Sequence, residues 1–155
     1  MRLFAVMAMV TLLLARPVSG QGPGSLTVKL DDRLEKGGVP SDLIFFLVRE
    51  DPNVTFTRLQ AVNPGADHAG LLRAWEKAMR EAASASVPLK GGSTARFSGV
   101  AAGRYWVMTL KPVVSGRFSL FWAEPVRMDS AGEAGVVFSL SNAVLLLDSL
   151  ECRIH

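Results

Sequence analysis

The chain has 155 residues, with 17 basic and 14 acidic side chains and a formal net charge of +3 at pH 7. The basic residues form no cluster beyond ordinary spacing, which argues against nucleic acid or an anionic membrane surface as the partner. Cys152 is the only cysteine, so an internal disulfide is excluded and packing must stabilise the fold. This thiol is either a free terminal group or one half of an intermolecular disulfide.

The first 20 residues have the pattern of a secretory signal peptide. Arg2 precedes an apolar run from Leu3 to Ala15, about 13 residues, which is too short to cross a bilayer as a helix. Small residues at Val18 and Gly20 suit a signal peptidase and predict cleavage between Gly20 and Gln21. Removal leaves about 135 residues, the size of one domain. We predict a secreted or periplasmic protein with no membrane span in its mature chain.

The first part of the mature chain has the pattern of strands separated by turns. Leu26–Leu30 alternates between apolar and polar residues, which predicts a half-buried strand. Residues 31–41 are polar and predict a turn. Leu43–Val48 is continuously apolar and predicts a central strand covered on both faces. Asp51–Asn53 predicts a turn, and the β-branched and aromatic residues of Val54–Leu59 predict another strand.

Residues 66–86 have the apolar spacing of a helix. The stripe consists of Leu71, Leu72, Trp75, Ala78, Met79 and Ala82. Asn63-Pro64 or Asp67 provides a start signal, and Pro88 is the predicted stop. An amphipathic helix is marginal in water unless its stripe is buried. We therefore predict that this helix packs across an outer sheet face or an open edge with Trp75 as its anchor.

Strands are predicted again after the helix. They cover Thr94–Ser98, Tyr105–Leu110, Phe118–Ala123, an edge-like Pro125–Met128 and Ala134–Leu140. Val144–Leu150 is apolar, and its pattern fits either a last strand or a terminal helical turn. The resulting prediction is a mainly β protein, an antiparallel Ig-like or prealbumin-like β-sandwich of seven or eight strands with one inserted helix. A single domain is predicted over residues 26–150, preceded by a signal peptide at 1–20 and a flexible leader at 21–25.

One stretch of the sequence resembles a known family. Phe97, Gly103, Tyr105 and Val107 occupy the recurring positions of carboxypeptidase regulatory-like domains, small prealbumin-like sandwiches that are related to the B-type repeats of bacterial collagen adhesins. Gly38-Val39-Pro40 resembles the opening of that pattern. Residues 122–126, 132 and 136–142 resemble its closing strands. The resemblance implies a sandwich over residues 26–142, and the inserted helix departs from it.

Gly103 and Tyr105 are predicted to form a structural corner. Glycine adopts backbone angles that other residues resist, and a tyrosine at a strand start can return its hydroxyl to an upstream carbonyl group. For Tyr105 we favour this structural role over contact with a ligand.

The residue content argues against catalysis. His68 and His155 are the only histidines, and with one distant cysteine they do not have the spacing of a zinc site. The sequence has no Gly-rich phosphate loop and no Gly-x-Ser-x-Gly motif. We predict no enzymatic activity, no cofactor and no metal.

The remaining function classes are binding and structure. We predict an exported interaction or structural module at the cell envelope or outside the cell, with an unknown protein or polysaccharide partner. The alternative is a carbohydrate-binding module whose exposed aromatic residues stack on sugars. The candidate ligand-binding residues are Trp106, Arg104 and Trp75. Trp106 lies on the strand face opposite to Tyr105, and Met108 and Leu110 share that face, which favours coverage by another layer over ligand stacking.

Overall fold

The computed structural model describes residues 22–36, 42–90, 92–115 and 118–146. These residues form ten strands and three helices. The strands are β1 (Gly24–Leu30), β2 (Ile44–Val48), β3 (Ala83–Pro88), β4 (Thr94–Val100), β5 (Gly103–Thr109), β6 (Val113–Ser115), β7 (Phe118–Phe121), β8 (Ala123–Met128), β9 (Glu133–Phe138) and β10 (Val144–Leu146). The helices are α1 (Asp32–Lys36), α2 (Pro52–Val62) and α3 (His68–Ala82).

The strands form a predominantly antiparallel sandwich, which confirms the predicted mainly β fold. One sheet has the order β4-β1-β9 and the facing sheet has the order β3-β2-β5-β8, while β10-β7-β6 form a small third sheet. Among the described strand pairs only β1 with β9 is parallel. Seven of the strands have five residues or more, and the others are short.

The main core lies between the two larger sheets. It contains apolar side chains from β1, β2, β4, β5 and β9, among them Leu26, Phe45, Phe97, Val107 and Phe138. Trp122 is fully buried in this core, and its ring stacks on Phe138 with centroids 5.6 Å apart.

A helical layer covers the outer face of the four-stranded sheet. Because successive side chains of a strand point to opposite faces, β2 and β5 also present Phe46, Val48 and Met108 on that outer face. Trp75 and Met79 of α3 pack against these side chains. The amphipathic stripe of the helix is therefore buried on a sheet face, and the described chain has three layers.

The start of β1 depends on a close approach between two backbones. The strand begins at Gly24, two residues before the predicted start, and the Ser25 amide donates to the Gly132 carbonyl oxygen at 3.0 Å. A Cβ atom on Gly24 would lie 2.3 Å from that same oxygen, so only glycine fits here.

The predicted strand at Val54–Leu59 is wrong, because these residues belong to α2. The Asp51 side chain accepts a hydrogen bond from the Asn53 amide at 2.8 Å, and Pro52 occupies the first turn. Together these residues form a helix start. A turn was predicted for residues 51–53 because the β-branched and aromatic residues that follow favour a strand.

The predicted end of the inserted helix is also wrong. Asp67 caps α3 by accepting from the Gly70 amide, but the helix ends at Ala82, where Ala83 turns to extended backbone. The buried stripe stops at Met79, so nothing holds the Ala-Ser run in a helix. Residues 83–88 form β3 instead, which pairs with β2, and Pro88 ends that strand.

Two smaller differences concern element boundaries. The predicted strand at Phe118–Ala123 divides at Trp122 into β7 and β8, and β8 lies at the edge of its sheet. The polar segment 31–41, predicted as a turn, contains the short helix α1, in which Leu34 is buried.

Several predictions concern residues outside the described ranges. These are the signal peptide at 1–20 with its cleavage site at Gly20 and Gln21, the Gly38-Val39-Pro40 motif, residues 147–150 and Cys152. Within the described ranges, no helix has the length and apolar character needed to cross a membrane.

Candidate binding site

The loop before β5 is joined to the sheet by Tyr105. This side chain is 4% exposed, and its hydroxyl donates to the Ala101 carbonyl oxygen at 3.0 Å. The Arg49 guanidinium donates to the same hydroxyl at 2.9 Å and lies 5.0 Å from the ring centroid. Gly103 has a φ of +153°, which favours glycine. Arg49 was not identified from the sequence, because it follows β2, far from Tyr105 along the chain.

We expect Tyr105→Phe to lower the free energy of unfolding by about 0.5–1.5 kcal/mol, the range for an ordinary hydrogen bond, since the Ala101 carbonyl group and Arg49 lose the hydroxyl but belong to exposed residues that water can reach. Denaturant titration measures this change. Arg104→Ala is the control: the side chain is exposed, so a change within about 0.5 kcal/mol is expected. Equal effects of the two substitutions would contradict the structural role of Tyr105.

Arg104 lies at an exposed end of the sandwich. It is paired across the ladder with Arg127, and both side chains line an open depression of about 410 Å³. Arg127 contacts Asp129 at 3.6 Å, with both side chains mostly exposed. The structure places Arg104 away from Trp75, which packs between α3 and the outer face of the four-stranded sheet.

Trp106 and Trp75 are brought to the same apolar cluster. Trp106 is half-buried and packs against the cluster formed by Phe46, Met108 and the α3 side chains. Trp75 is 7% exposed, and its indole N–H donates to the Pro52 carbonyl oxygen at 2.9 Å. This hydrogen bond ties α3 to the start of α2.

An apolar cleft of about 370 Å³ lies beside Trp75, between the two long helices and the strands. Its aromatic walls come from separate elements: Trp75 meets Phe121 at 5.9 Å between ring centroids, and Phe56 meets His68 at 6.3 Å. The remaining lining residues are Pro52, Asn53, Leu72, Arg73, Glu76, Leu110, Pro112, Ala123 and Val144. Val144 is 44% exposed, so apolar surface continues from the cleft to solvent. We call this site the aromatic cleft.

Charged side chains of both signs surround the aromatic cleft. The Glu76 carboxylate is paired with Arg80 at 2.7 Å, and the Asp67 carboxylate caps α3. Arg73 lines the cleft and is exposed, and it forms no ion pair within the described part of the chain. Lys111, also exposed, lies in the chain between the lining residues Leu110 and Pro112. Acidic and basic side chains therefore both lie at or next to the rim, since Asp51 and Asp67 adjoin lining residues just as Lys111 does.

Only some residues of the aromatic cleft carry a signal in the sequence. Trp75 and Leu72 were found from the helical stripe. Phe56 was missed because α2 was predicted to be a strand, and Phe121 carries no local signal. Over the described ranges, no group of three or more His, Cys, Asp or Glu side chains is placed to hold a metal ion.

Glu124 is an ionisable group partly buried in the sheet. It lies on β8 opposite Val107, and burial raises the pKa of its carboxyl group above the ordinary value for glutamate. The folded state therefore disfavours the carboxylate, so stability that is present below the ordinary pKa is lost as the pH rises through the raised value.

We expect Glu124→Gln to increase the free energy of unfolding at pH 7 by a small amount, because glutamine stays neutral. The increase should shrink toward zero below about pH 4, where the wild-type carboxyl group is protonated in both states. Denaturation at a series of pH values measures it. A difference that grows as the pH falls would contradict the direction of the shift.

No protein-family model matches the chain, and no curated protein matches it. Among solved structures, the chain is similar to the pilus backbone protein RrgB of Streptococcus pneumoniae, with 8% sequence identity and a TM-score of 0.34. The match covers 73% of this chain and 40% of the pneumococcal chain, so this chain spans less than half of that protein. A likeness at this level carries no argument about function.

Proposed function

We propose that this chain is an exported, non-catalytic β-sandwich module that binds a protein partner at the cell envelope or outside the cell. The observation that carries the proposal is the aromatic cleft, an apolar site that opens to solvent between α2, α3 and the strands. Apolar surface of this kind on a folded domain is typical of binding sites. The resemblance of residues 95–107 to carboxypeptidase regulatory-like domains supports a role as a module, and the residue content supports the absence of catalysis.

The positions of the candidate aromatic residues favour a protein partner over a sugar. Sugar stacking needs an open ring face, but Trp75 is buried with its N–H bonded to Pro52, and Trp106 is half-buried under the helical layer. Arg104 is exposed at a different surface. A carbohydrate-binding role would instead require that Trp106→Ala abolish retention on insoluble polysaccharides.

A matched pair of variants tests the proposed function. Leu72→Glu places a carboxylate on the wall of the aromatic cleft, and Val137→Glu makes the same chemical change on β9, where Val137 is 54% exposed. Wild type and both variants are immobilised and incubated with a cell-envelope extract of the producing organism, after thermal melting shows that each is folded. We expect a protein retained by wild type and by Val137→Glu to be lost from Leu72→Glu. Equal retention by all three would contradict binding in the cleft.

Export of the protein is tested by the mass of its secreted form. Intact-mass measurement of the secreted protein should show loss of residues 1–20, with Gln21 as the first residue. Recovery of the full apolar run in the membrane fraction would contradict this part of the proposal.

A further inference from the structure

We infer that one end of the β5–β8 ladder binds a tetrahedral oxyanion group, a phosphate or a sulfate. The site consists of Arg104, Arg127 and the open depression of about 410 Å³ that both side chains line. We call it the arginine site. It shares no lining residue with the aromatic cleft, so the inference does not depend on the proposed function.

The two arginines occupy the closer of the two kinds of cross-strand position. In an antiparallel ladder, hydrogen-bonded pairs alternate with non-bonded pairs, whose side chains lie closer together. The Thr109 amide donates to the Trp122 carbonyl oxygen at 3.0 Å, which makes these two residues a bonded pair in the register of β5 with β8. Arg104 and Arg127 lie an odd number of residues further along that register, so they form a non-bonded pair. Their Cβ atoms are therefore separated by only about 4.5–5.5 Å.

This pairing of like charges is unfavourable for the folded chain alone. Two cations directly opposite each other destabilise a sheet, and both side chains are exposed, so burial of the arginines does not offset the repulsion. An anion bound between the guanidiniums would replace the repulsion by two attractions. Local conflicts of this kind are typical of functional sites.

The acidic groups near the arginine site do not neutralise both arginines. Asp129 lines the depression and lies 3.6 Å from the Arg127 side chain, but the two side chains are 82% and 75% exposed, so this ion pair is weak. Glu50 follows β2 next to β5, and it pairs with Arg58 at 2.8 Å. Within the described residues Arg104 forms no ion pair. The lining side chains therefore have an excess of one positive charge.

The directions of the donors favour a tetrahedral group over a carboxylate. The two oxygens of a carboxylate lie in one plane and can be bound by a single guanidinium. The arginine site presents guanidiniums from two strands, and the Ser130 hydroxyl, a further donor, also lines the depression. A phosphate or sulfate group has oxygens that point in several directions, so it can accept from all three side chains.

Titration followed by NMR spectroscopy tests the site. The secreted protein is titrated with inorganic phosphate, dimethyl phosphate or acetate, and sodium chloride holds the ionic strength constant. We expect saturable shifts of the amide resonances of residues 102–104 and 127–130 with a phosphate, and a weaker response to acetate. Binding of dimethyl phosphate would identify a group that is carried on a larger molecule, whereas binding of inorganic phosphate alone would identify a free ion.

Substitutions measure the contribution of each charge. We expect Arg104→Gln and Arg127→Gln each to weaken phosphate binding about twofold to fivefold, as for exposed ion pairs. Asp129→Asn removes the competing carboxylate and should strengthen binding by up to about fivefold. Arg33→Gln is the matched control, because it removes an exposed cation from α1, and it should leave the affinity unchanged.

Thermal melting tests the repulsion separately. In chloride buffer, Arg104→Gln should melt at a slightly higher temperature than wild type, because the like charges no longer face each other. Phosphate stabilises folded proteins in general, but it should raise the melting temperature of wild type more than that of Arg104→Gln, since only wild type keeps the complete site.

Three results would overturn the inference. These are the absence of saturation at tens of millimolar phosphate, shifts that persist unchanged when both arginines are replaced by glutamine, and equal affinities for phosphate and acetate. None of these results would affect the proposed function, because they do not involve the aromatic cleft.

Discussion

Trp75→Ala is expected to lower the free energy of unfolding by about 3–5 kcal/mol, the range for removing a large buried aromatic side chain. The ring is 7% exposed and packs on Met79, Phe121 and the outer face of the four-stranded sheet. Its loss also removes the donor to the Pro52 carbonyl group, so the hydrogen bond between α3 and the start of α2 is lost. Denaturant titration followed by circular dichroism measures the change.

Trp75→Phe serves as the partial substitution. It keeps a ring in the cluster and removes the indole N–H, so a smaller loss is expected than for alanine. If Trp75→Ala unfolds at the same denaturant concentration as wild type, the packing of the Trp75 ring on the sheet contributes nothing to the stability of the sandwich. The description of α3 as a packed layer would then be wrong.

Trp122→Ala is expected to cost a similar amount, about 3–5 kcal/mol, but in the core between the sheets. Trp122 is fully buried, stacks on Phe138, and its indole N–H donates to the Ser139 carbonyl oxygen at 2.8 Å. Its amide also donates to the Thr109 hydroxyl oxygen at 3.2 Å. The substitution opens a cavity and leaves the Ser139 carbonyl oxygen without its indole donor, whereas the bond from the amide of residue 122 to Thr109 is a backbone interaction that alanine keeps. Calorimetry and denaturant titration measure the loss.

Trp106→Ala is the matched control for this prediction, because the same residue type is removed from a half-buried position in the outer cluster. We expect it to cost less than Trp122→Ala. A larger loss at Trp106 than at Trp122 would show that the outer layer, and not the space between the sheets, is the main source of stability.

The sandwich could be predicted because its strands carry local patterns. The alternation in β1 and β9 and the continuous apolar run of β2 reflect which faces are buried. The prediction from residue content was wrong at α2, because Val54, Thr55 and Phe56 favour a strand whereas the cap at Asp51 favours a helix. It failed again at β3, whose Ala-Ser residues have no strong preference and become a strand by pairing with the edge of β2.

Only part of the candidate site could be predicted. Trp75 was found because its helical spacing required a buried position, and the covering of Trp106 follows from the apolar residues on its strand face. The aromatic cleft itself depends on Phe56, Trp75 and Phe121 meeting from three elements. No local sequence pattern predicts contacts between three separate elements. Because α2 was predicted to be a strand, Phe56 was not placed beside Trp75. The interaction of Arg49 with Tyr105 is a long-range contact of the same kind.

The position of β1 between β4 and β9 has a consequence for the kinetics of folding. Ser25 contacts Arg96, 71 positions later, and Glu133, 108 positions later. Closing such long loops lowers the conformational entropy of the chain before the contacts that stabilise the loops have formed. Long-range pairing therefore slows folding, and domains dominated by it fold in milliseconds to seconds. β1 acquires its second neighbour only after nearly all of the described chain has been synthesised. The two ends of the described chain therefore fold as one cooperative unit, and a ribosome-bound chain without β9 would keep β1 as an open edge.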